Sequence, residues 1–227
     1  MNTEIQSAAD TQIGNEVRPS ESLSNVAYVT LLNQIMNRSL GGGAIIQERK
    51  VAAALGISRT PMRMALARLE GEGYLTRLTD RLLSVRIVSL PECLDAIAIR
   101  QLIEPEATRL ATPRIPQSVL YELKSQLSEL MGAKEPDTTA EWMFDNNLHN
   151  TIAEHSGNLA MVHTVARLRR TTQMFEHMKV PEPSSLSHGG KEHLNIIEAM
   201  EGGDPDKAAE AMHVHLVQSC EGILGRL

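Results

Sequence analysis

The segment Ala54-Leu55-Gly56-Ile57-Ser58-Arg59-Thr60-Pro61-Met62-Arg63 decides the fold, because it has the pattern of the turn and second helix of a helix-turn-helix. Gly56 can adopt the positive φ that ends one helix. Ser58 can cap the next helix through its hydroxyl, and Pro61 falls in the first turn, where its missing N–H costs little. The segment therefore predicts two helices joined by a tight turn.

The second of these helices has two distinct faces. Four apolar residues at helical spacing predict a buried stripe: Met62, Ala65, Leu66 and Leu69. Four polar residues near the helix start face outward, where a recognition helix meets base edges in the major groove: Ser58, Arg59, Thr60 and Arg63. The pattern predicts DNA binding, and an ordinary helical hairpin with solvated arginines is the alternative.

The flanking sequence favours a winged helix-turn-helix. One helix comes first, and a second helix from about residue 47 to residue 55 presents Arg49 outward. After the recognition helix, two alternating runs at 74–77 and 83–88 predict the strands of a hairpin. Arg81 lies at the hairpin tip, where it can reach a phosphate or the minor groove.

Charge is unevenly distributed along the chain. The net charge is −6, yet residues 23–90 hold nine Arg or Lys against four Asp or Glu. Residues 1–22 hold one against four, and residues 91–227 hold twelve against twenty. A basic module joined to an acidic one is expected when one domain alone binds DNA. Aromatic residues make up only 3% of the chain, which argues against a surface that stacks single-stranded bases.

The length of 227 residues allows two modest domains. We predict a disordered tail over 1–22, which is polar and aperiodic, a winged helix-turn-helix domain over 23–90 and an all-helical domain over 91–227. No run approaches the roughly 18 apolar residues that span a membrane, and no secretory signal is visible. Two cysteines do not make a disulfide framework. These features predict a cytoplasmic protein.

From Pro91 onward the pattern is helical and shows no strand. It predicts six helices, over 91–111, 116–131, 139–155, 159–178, 187–200 and 204–224. Pro105 should kink or break the first of them, and Asp204 should cap the last. The second domain is therefore expected to be an all-α bundle.

Four residues of this bundle form a candidate metal site. Asp145 and His149 are four residues apart and project from one helical face, while His193 and His215 lie on two later helices. Three imidazoles and a carboxylate suit a divalent metal, with Zn first and Ni, Fe or Mn as alternatives. The spacing alone also allows an ordinary surface pair on a chain with eight histidines.

The helix-turn-helix pattern and the Asp/His set, in this order, resemble the GntR family of bacterial transcription regulators. The resemblance is to the FadR-type branch, whose effector domain is called FCD. The resemblance covers about residues 23–225. In the first domain it is carried by Glu48-Arg49-Lys50-Val51-Ala52, by the run from Gly56 to Leu66 and by Leu69-Glu70-Gly71-Glu72-Gly73-Tyr74-Leu75. In the second domain it is carried by Ile99-Arg100-Gln101-Leu102-Ile103-Glu104-Pro105, Asp145-Asn146-Asn147-Leu148-His149, Ser156-Gly157-Asn158, Glu192-His193 and His215-Leu216.

The resemblance implies roles for these residues. Arg49, Arg59 and Arg63 would contact operator bases and backbone, with Ser58 and Thr60 at phosphates. The Asp/His set would hold a metal ion with open positions for an organic acid. Arg100 resembles an arginine that faces the effector and binds its carboxylate. An intramolecular pair between Arg100 and Glu104 is the alternative.

The expected function is that of a homodimeric regulator, in most such cases a repressor, on palindromic double-stranded operator DNA. A small carboxylate bound at the metal would change operator affinity. Two alternatives remain open at this point, a metal-dependent enzyme built on the Asp/His site and a regulator that senses the metal itself. Against the enzyme, the sequence shows no His-Glu-x-x-His pattern.

Overall fold

The computed structural model describes residues 19–80, 82–134, 138–178 and 186–225. Its N-terminal unit comprises α1 (Pro19–Met36), β1 (Ile45–Ile46), α2 (Glu48–Ala54), α3 (Arg59–Gly71), β2 (Leu75–Thr79) and β3 (Leu82–Val85). The three strands form an antiparallel sheet in the order β1-β3-β2. This is the predicted winged helix-turn-helix, with one short strand, β1, added to the hairpin.

The turn between α2 and α3 follows the sequence pattern except at its cap. Gly56 has φ +65°, and the stripe of α3 predicted to be inward is buried. Ser58 occupies the N-cap position, but its side chain makes no capping hydrogen bond, so the predicted hydroxyl cap is wrong. A cap of this kind accepts from the second or third N–H of the helix. The third residue of α3 is Pro61, which has no N–H to donate.

The beginning of α1 corrects the predicted tail. The helix starts at Pro19, so the last four residues of the segment 1–22 are helical. The other eighteen residues of that segment lie outside the described residues.

The second unit is helical throughout its described residues. It comprises α4 (Leu90–Ala111), α5 (Gln117–Gly132), α6 (Thr138–His155), α7 (Leu159–Met178), α8 (Leu186–Glu201) and α9 (Pro205–Leu224). Of the kink or break expected at Pro105, the break does not occur, because α4 runs through this residue. Asp204 caps α9 as predicted, accepting from the N–H of Lys207 at 3.1 Å. Among the described residues, no helix has the length and apolar character to cross a membrane.

Two hydrophobic cores hold the molecule together. One lies inside the bundle, between α4, α5, α6, α8 and α9. The other contains the interior of the winged unit together with Cys93 and Ile97 of α4, Met174 and Phe175 of α7, and Ile223 of α9. We call this second group the shared core, because both units contribute to it. The winged unit therefore rests on the bundle through buried apolar contacts.

Candidate nucleic-acid interface and metal centre

The residues predicted to contact DNA lie at the surface of the winged unit. The first turns of α3 and the start of α2 carry five of them, all exposed: Arg49, Ser58, Arg59, Thr60 and Arg63. The sixth, Arg81, lies outside the described residues. Because the opposite face of α3 is buried, this helix can present only its polar side to a partner.

Glu48, for which the sequence analysis predicted no role, joins two of these arginines. Glu48 Oε1 accepts from Arg59 Nε at 2.9 Å, and Oε2 accepts from Arg63 Nε at 2.9 Å. Burial raises the pKa of Glu48, but the two hydrogen bonds and the nearby positive charges outweigh burial and hold the pKa below its ordinary value. Glu48 is therefore ionised between two guanidinium groups.

The four predicted metal ligands converge in the bundle. Asp145 and His149 come from α6, His193 from α8 and His215 from α9, and one ligand atom of each lies within 4.8 Å of all the others. The three imidazoles are buried, whereas Asp145 is partly exposed. The helices bring together residues that are up to 70 positions apart in the sequence.

Several ring nitrogens at this cluster are buried without a hydrogen-bond partner. They are His149 Nε2 and both ring nitrogens of His193. Asp145 Oδ1 is 3.2 Å from His193 Nε2 and 3.5 Å from His149 Nε2, without the geometry of a hydrogen bond. Buried polar atoms are rarely left unsatisfied in proteins. A metal ion between these atoms would satisfy them, so the residues fit the implied group.

Two further carboxylates hold the imidazoles from behind. Glu104 Oε2 bonds His149 Nδ1, and Glu192 Oε2 bonds His215 Nδ1 at 3.0 Å. A carboxylate on Nδ1 selects the tautomer that carries the proton there and leaves Nε2 with a lone pair for a metal. Neither glutamate was predicted for this role. An acidic residue beside a candidate ligand is too common a signal to identify it from sequence.

The electrostatics of the cluster favour neutral imidazoles at His149 and His215 and an ionised carboxylate at Asp145. Burial lowers the pKa of His149 and takes that of His215 well below its usual range. Burial alone would raise the pKa of Asp145, but the Arg169 guanidinium and the nearby histidine side chains hold this pKa well below its ordinary value. This combination of charge states is the one that coordinates a divalent transition metal.

Two buried arginines support the cluster without belonging to it. Arg100 Nε donates to Glu104 Oε1, and its Nη1 donates to Thr172 Oγ1 at 3.1 Å. The intramolecular pair that the spacing left open is thus present. Arg169 was not predicted; its Nη2 donates to Asp145 Oδ2, while its Nε is buried without a hydrogen-bond partner. Glu104 and Asp145 are therefore each neutralised by a guanidinium of their own.

Both units match known protein families. Residues 23–81 match the family described as bacterial regulatory proteins, gntR family, and residues 95–218, more than half of the chain, match the FCD domain. The chain belongs to the GntR family. It carries the DNA-binding domain of that family and an FCD effector domain, as the resemblance implied.

Relatives of this GntR-family protein are transcription regulators. HTH-type transcriptional repressor RspR of Escherichia coli K12 is 24% identical over 212 residues, which cover 93% of each chain. The Nta operon transcriptional regulator of Aminobacter aminovorans is 28% identical over 182 residues, covering 80% of this chain and 85% of that protein. The solved structure of E. coli McbR/YncC has the same fold, with a TM-score of 0.75 at 20% identity, covering 90% of this chain and 98% of its own.

The family decides between regulator and enzyme. The GntR family binds operator DNA through its helix-turn-helix, and its FCD domain binds small-molecule effectors. The chain is accordingly a transcriptional regulator and not an enzyme.

Proposed function

We propose that this GntR-family protein is a homodimeric repressor whose FCD domain binds a divalent metal and, on that metal, a small organic acid. Binding of the acid changes operator affinity. The observation that carries the proposal is the convergence of Asp145, His149, His193 and His215, with buried ring nitrogens that have no other partner. Zinc is the first candidate, and nickel, iron or manganese also accept these ligands.

The charges around the cluster favour an anionic ligand. Arg100 neutralises Glu104, and Arg169 neutralises Asp145. A divalent cation therefore adds positive charge that these ion pairs do not already cancel. Four protein ligands leave a six-coordinate ion two positions, which a carboxylate can occupy. Because Arg100 is engaged by Glu104, we assign the effector carboxylate to the metal and regard Arg100 as support for Glu104.

Metal analysis of the purified protein tests the site. We expect about one divalent ion per chain and loss of that ion in His193→Ala. His213→Ala is the matched control, because His213 is exposed on α9 two residues from a proposed ligand. Unchanged metal content in His193→Ala would remove this residue from the site.

A thermal-shift screen of organic acids tests the effector. A ligand at about a hundred times its dissociation constant adds roughly 2.7 kcal/mol to stability. We expect a shift from an acid with metal present and none after chelation. Operator binding that follows the metal alone, with no shift from any acid, would instead identify a regulator that senses the metal.

The DNA role rests on the exposed face of α2 and α3, where we propose that Arg49, Ser58, Arg59, Thr60 and Arg63 contact the operator. We expect Arg63→Ala to lose sequence-specific binding while its helical content is unchanged. Arg167→Ala, which removes an exposed arginine of α7, should bind the operator normally. Specific binding retained by Arg63→Ala would contradict the assigned face. Arg81 remains a proposed wing contact.

The homodimer is supported by the outer face of α4. Ile99 and Leu102 are 44% and 73% exposed there. An antiparallel pairing of two such helices centred on Leu102 places Asp95 of one copy opposite Arg109 of the other, because each lies seven residues from the centre. In the single chain Arg109 pairs with Glu106, and its side chain is 49% exposed. A self-complementary apolar stripe flanked by opposite charges suits a twofold interface.

A further inference from the structure

One carboxylate links the two arginines of the recognition helix. Arg59 and Arg63 lie one turn apart on α3, and each donates its Nε to a different oxygen of Glu48, at 2.9 Å in both cases. Their side chains are 66% and 65% exposed, whereas that of Glu48 is 23% exposed. Across the described part of the chain, neither guanidinium makes another hydrogen bond. Their terminal nitrogens are therefore not engaged by acceptors in the described part of the chain.

Folding stability does not explain this arrangement, because ion pairs between exposed side chains contribute little. Its effect is on geometry. A guanidinium whose Nε is occupied still offers its two terminal nitrogens, which can donate together to O6 and N7 of guanine. Glu48 also restricts the rotamers of both side chains before DNA arrives, so less conformational entropy is lost on binding.

The negative charge of Glu48 also favours sequence-specific binding over non-specific binding. A negative charge between two cations weakens their attraction to any phosphate, and phosphate attraction supplies most of the non-specific binding. Contacts to base edges depend on placement rather than on net charge. We propose that Glu48 is a positioning residue that sets operator specificity, holding Arg59 and Arg63 for base contacts and suppressing non-specific binding. This inference rests on the proposed DNA-contacting role of the two arginines.

Two variants of Glu48 separate the effect of its side-chain length from the effect of its charge. Sites are first selected by the wild-type protein from a random double-stranded pool, and affinities are then measured for the selected duplex and a scrambled duplex. Glu48→Asp keeps the charge but shortens the side chain, so it should lower the ratio of the two affinities roughly tenfold with little change on the scrambled duplex. Glu48→Gln should lower the ratio as well and bind the scrambled duplex more tightly, because a negative charge is gone.

Glu70→Gln is the matched control, because Glu70 on α3 makes a similar ion pair with Arg77, away from the start of the helix. It changes the net charge of the domain equally and should leave the affinity ratio unaltered. An unaltered ratio in Glu48→Asp overturns the inference, and so does an equal loss in Glu70→Gln. Failure of the underlying DNA role is distinguishable, because Arg63→Ala would then discriminate between the duplexes as well as the wild type.

Discussion

At the scale of single residues, the carboxylates that bond the histidines would determine how firmly the proposed metal is held. Glu192 bonds Nδ1 of His215 and so fixes the proton there, and its side chain is 19% exposed. We predict that Glu192→Gln lowers metal affinity about 10- to 100-fold, which is typical when an outer carboxylate is lost. Competition with a chromophoric chelator measures the change.

The control for this prediction lies on the same helix. Glu198→Gln removes a carboxylate that is 52% exposed and pairs with Lys124, so metal affinity should stay at the wild-type value. Equal affinities in the two variants would mean that the carboxylate on His215 does not support the site.

Tyr74 makes the unfolding free energy of the winged unit depend on pH in the alkaline range. Burial raises the pKa of Tyr74 to about 12, against an ordinary value near 10, with the opposing charge of Arg170 having the smaller effect. Because the pKa of Tyr74 is higher in the folded state than in the unfolded chain, the neutral phenol contributes stability that is complete below pH 10. This stability is lost as the pH rises from 10 towards 12. We predict that at pH 11 the Tyr74→Phe variant gains about 1 kcal/mol in unfolding free energy relative to the wild type.

Urea unfolding at pH 8 and pH 11 checks the sign. At pH 8 the two proteins should differ little, because both side chains are then neutral and fill similar space. A variant that loses stability equally at both pH values would show that ionisation of Tyr74 plays no part.

At the scale of single elements, α7 connects the Asp/His cluster to the winged unit. Arg169 and Thr172 contact the network around the histidines, and the next turn places Met174 and Phe175 in the shared core. A displacement of this helix by an effector would therefore act directly on the packing under the DNA-binding unit. The connection passes through one rigid helix and needs no flexible linker.

Truncation of this contact is expected to be costly. Met174 is 2% exposed, and Met174→Ala should lower the unfolding free energy by about 2–5 kcal/mol through the cavity it leaves. Metal content should not change, because Met174 belongs to the shared core and not to the proposed ligand set. Met143→Ala is the control, since Met143 is 59% exposed and its loss should cost less than about 0.5 kcal/mol. Denaturant titration of both variants would refute the shared core if their losses were equal.

Helices were the most predictable elements, and α4 shows why their faces were not. Periodicity located α4 correctly, but its buried face carries Arg100, Glu104 and Thr108, while Ile99 and Leu102 are exposed. These polar residues lie among buried apolar ones on the inner face because that part of α4 supports the histidine network. The pattern of one chain cannot show such a network, since its partners lie on α6 and α7. The cluster of Asp145, His149, His193 and His215 was predictable because the spacing of Asp145 and His149 agreed with the family resemblance, whereas the spacing alone also allowed an ordinary surface pair.

Strand β1 and the cap of α3 were missed for local reasons. Two residues, Ile45 and Ile46, are too few to show alternation, and they pair only because β3 lies beside them. The hydroxyl of Ser58 met the compositional rule for a cap, but the rule does not consider that Pro61 removes one donor. In both cases a neighbouring residue, not the local preference, determined the outcome.

At the scale of the whole molecule, the outer face of α4 determines the proposed assembly. Leu102 would lie on the twofold axis, so Leu102→Glu places two carboxylates against each other in an apolar contact. We predict that this variant is monomeric at concentrations where the wild type is dimeric, with light scattering after size exclusion as the measurement. Tyr121→Glu, at an equally exposed position on α5, should remain dimeric. A dimeric Leu102→Glu would move the interface elsewhere.

The shared core also limits how the chain can be recombined in protein engineering. Sensors are built by joining the effector half of one regulator to the DNA-binding half of another. In this chain the two halves would be joined between β3 and α4, as if no contacts crossed that junction. Here the two halves interlock, because Cys93 and Phe175 are buried among the side chains of the winged unit. A chimera would have to carry matching apolar residues on both sides, or its graft would leave an uncovered patch. The segments of this protein that can be exchanged together are therefore determined by which side chains are in contact, and not by where the linker lies.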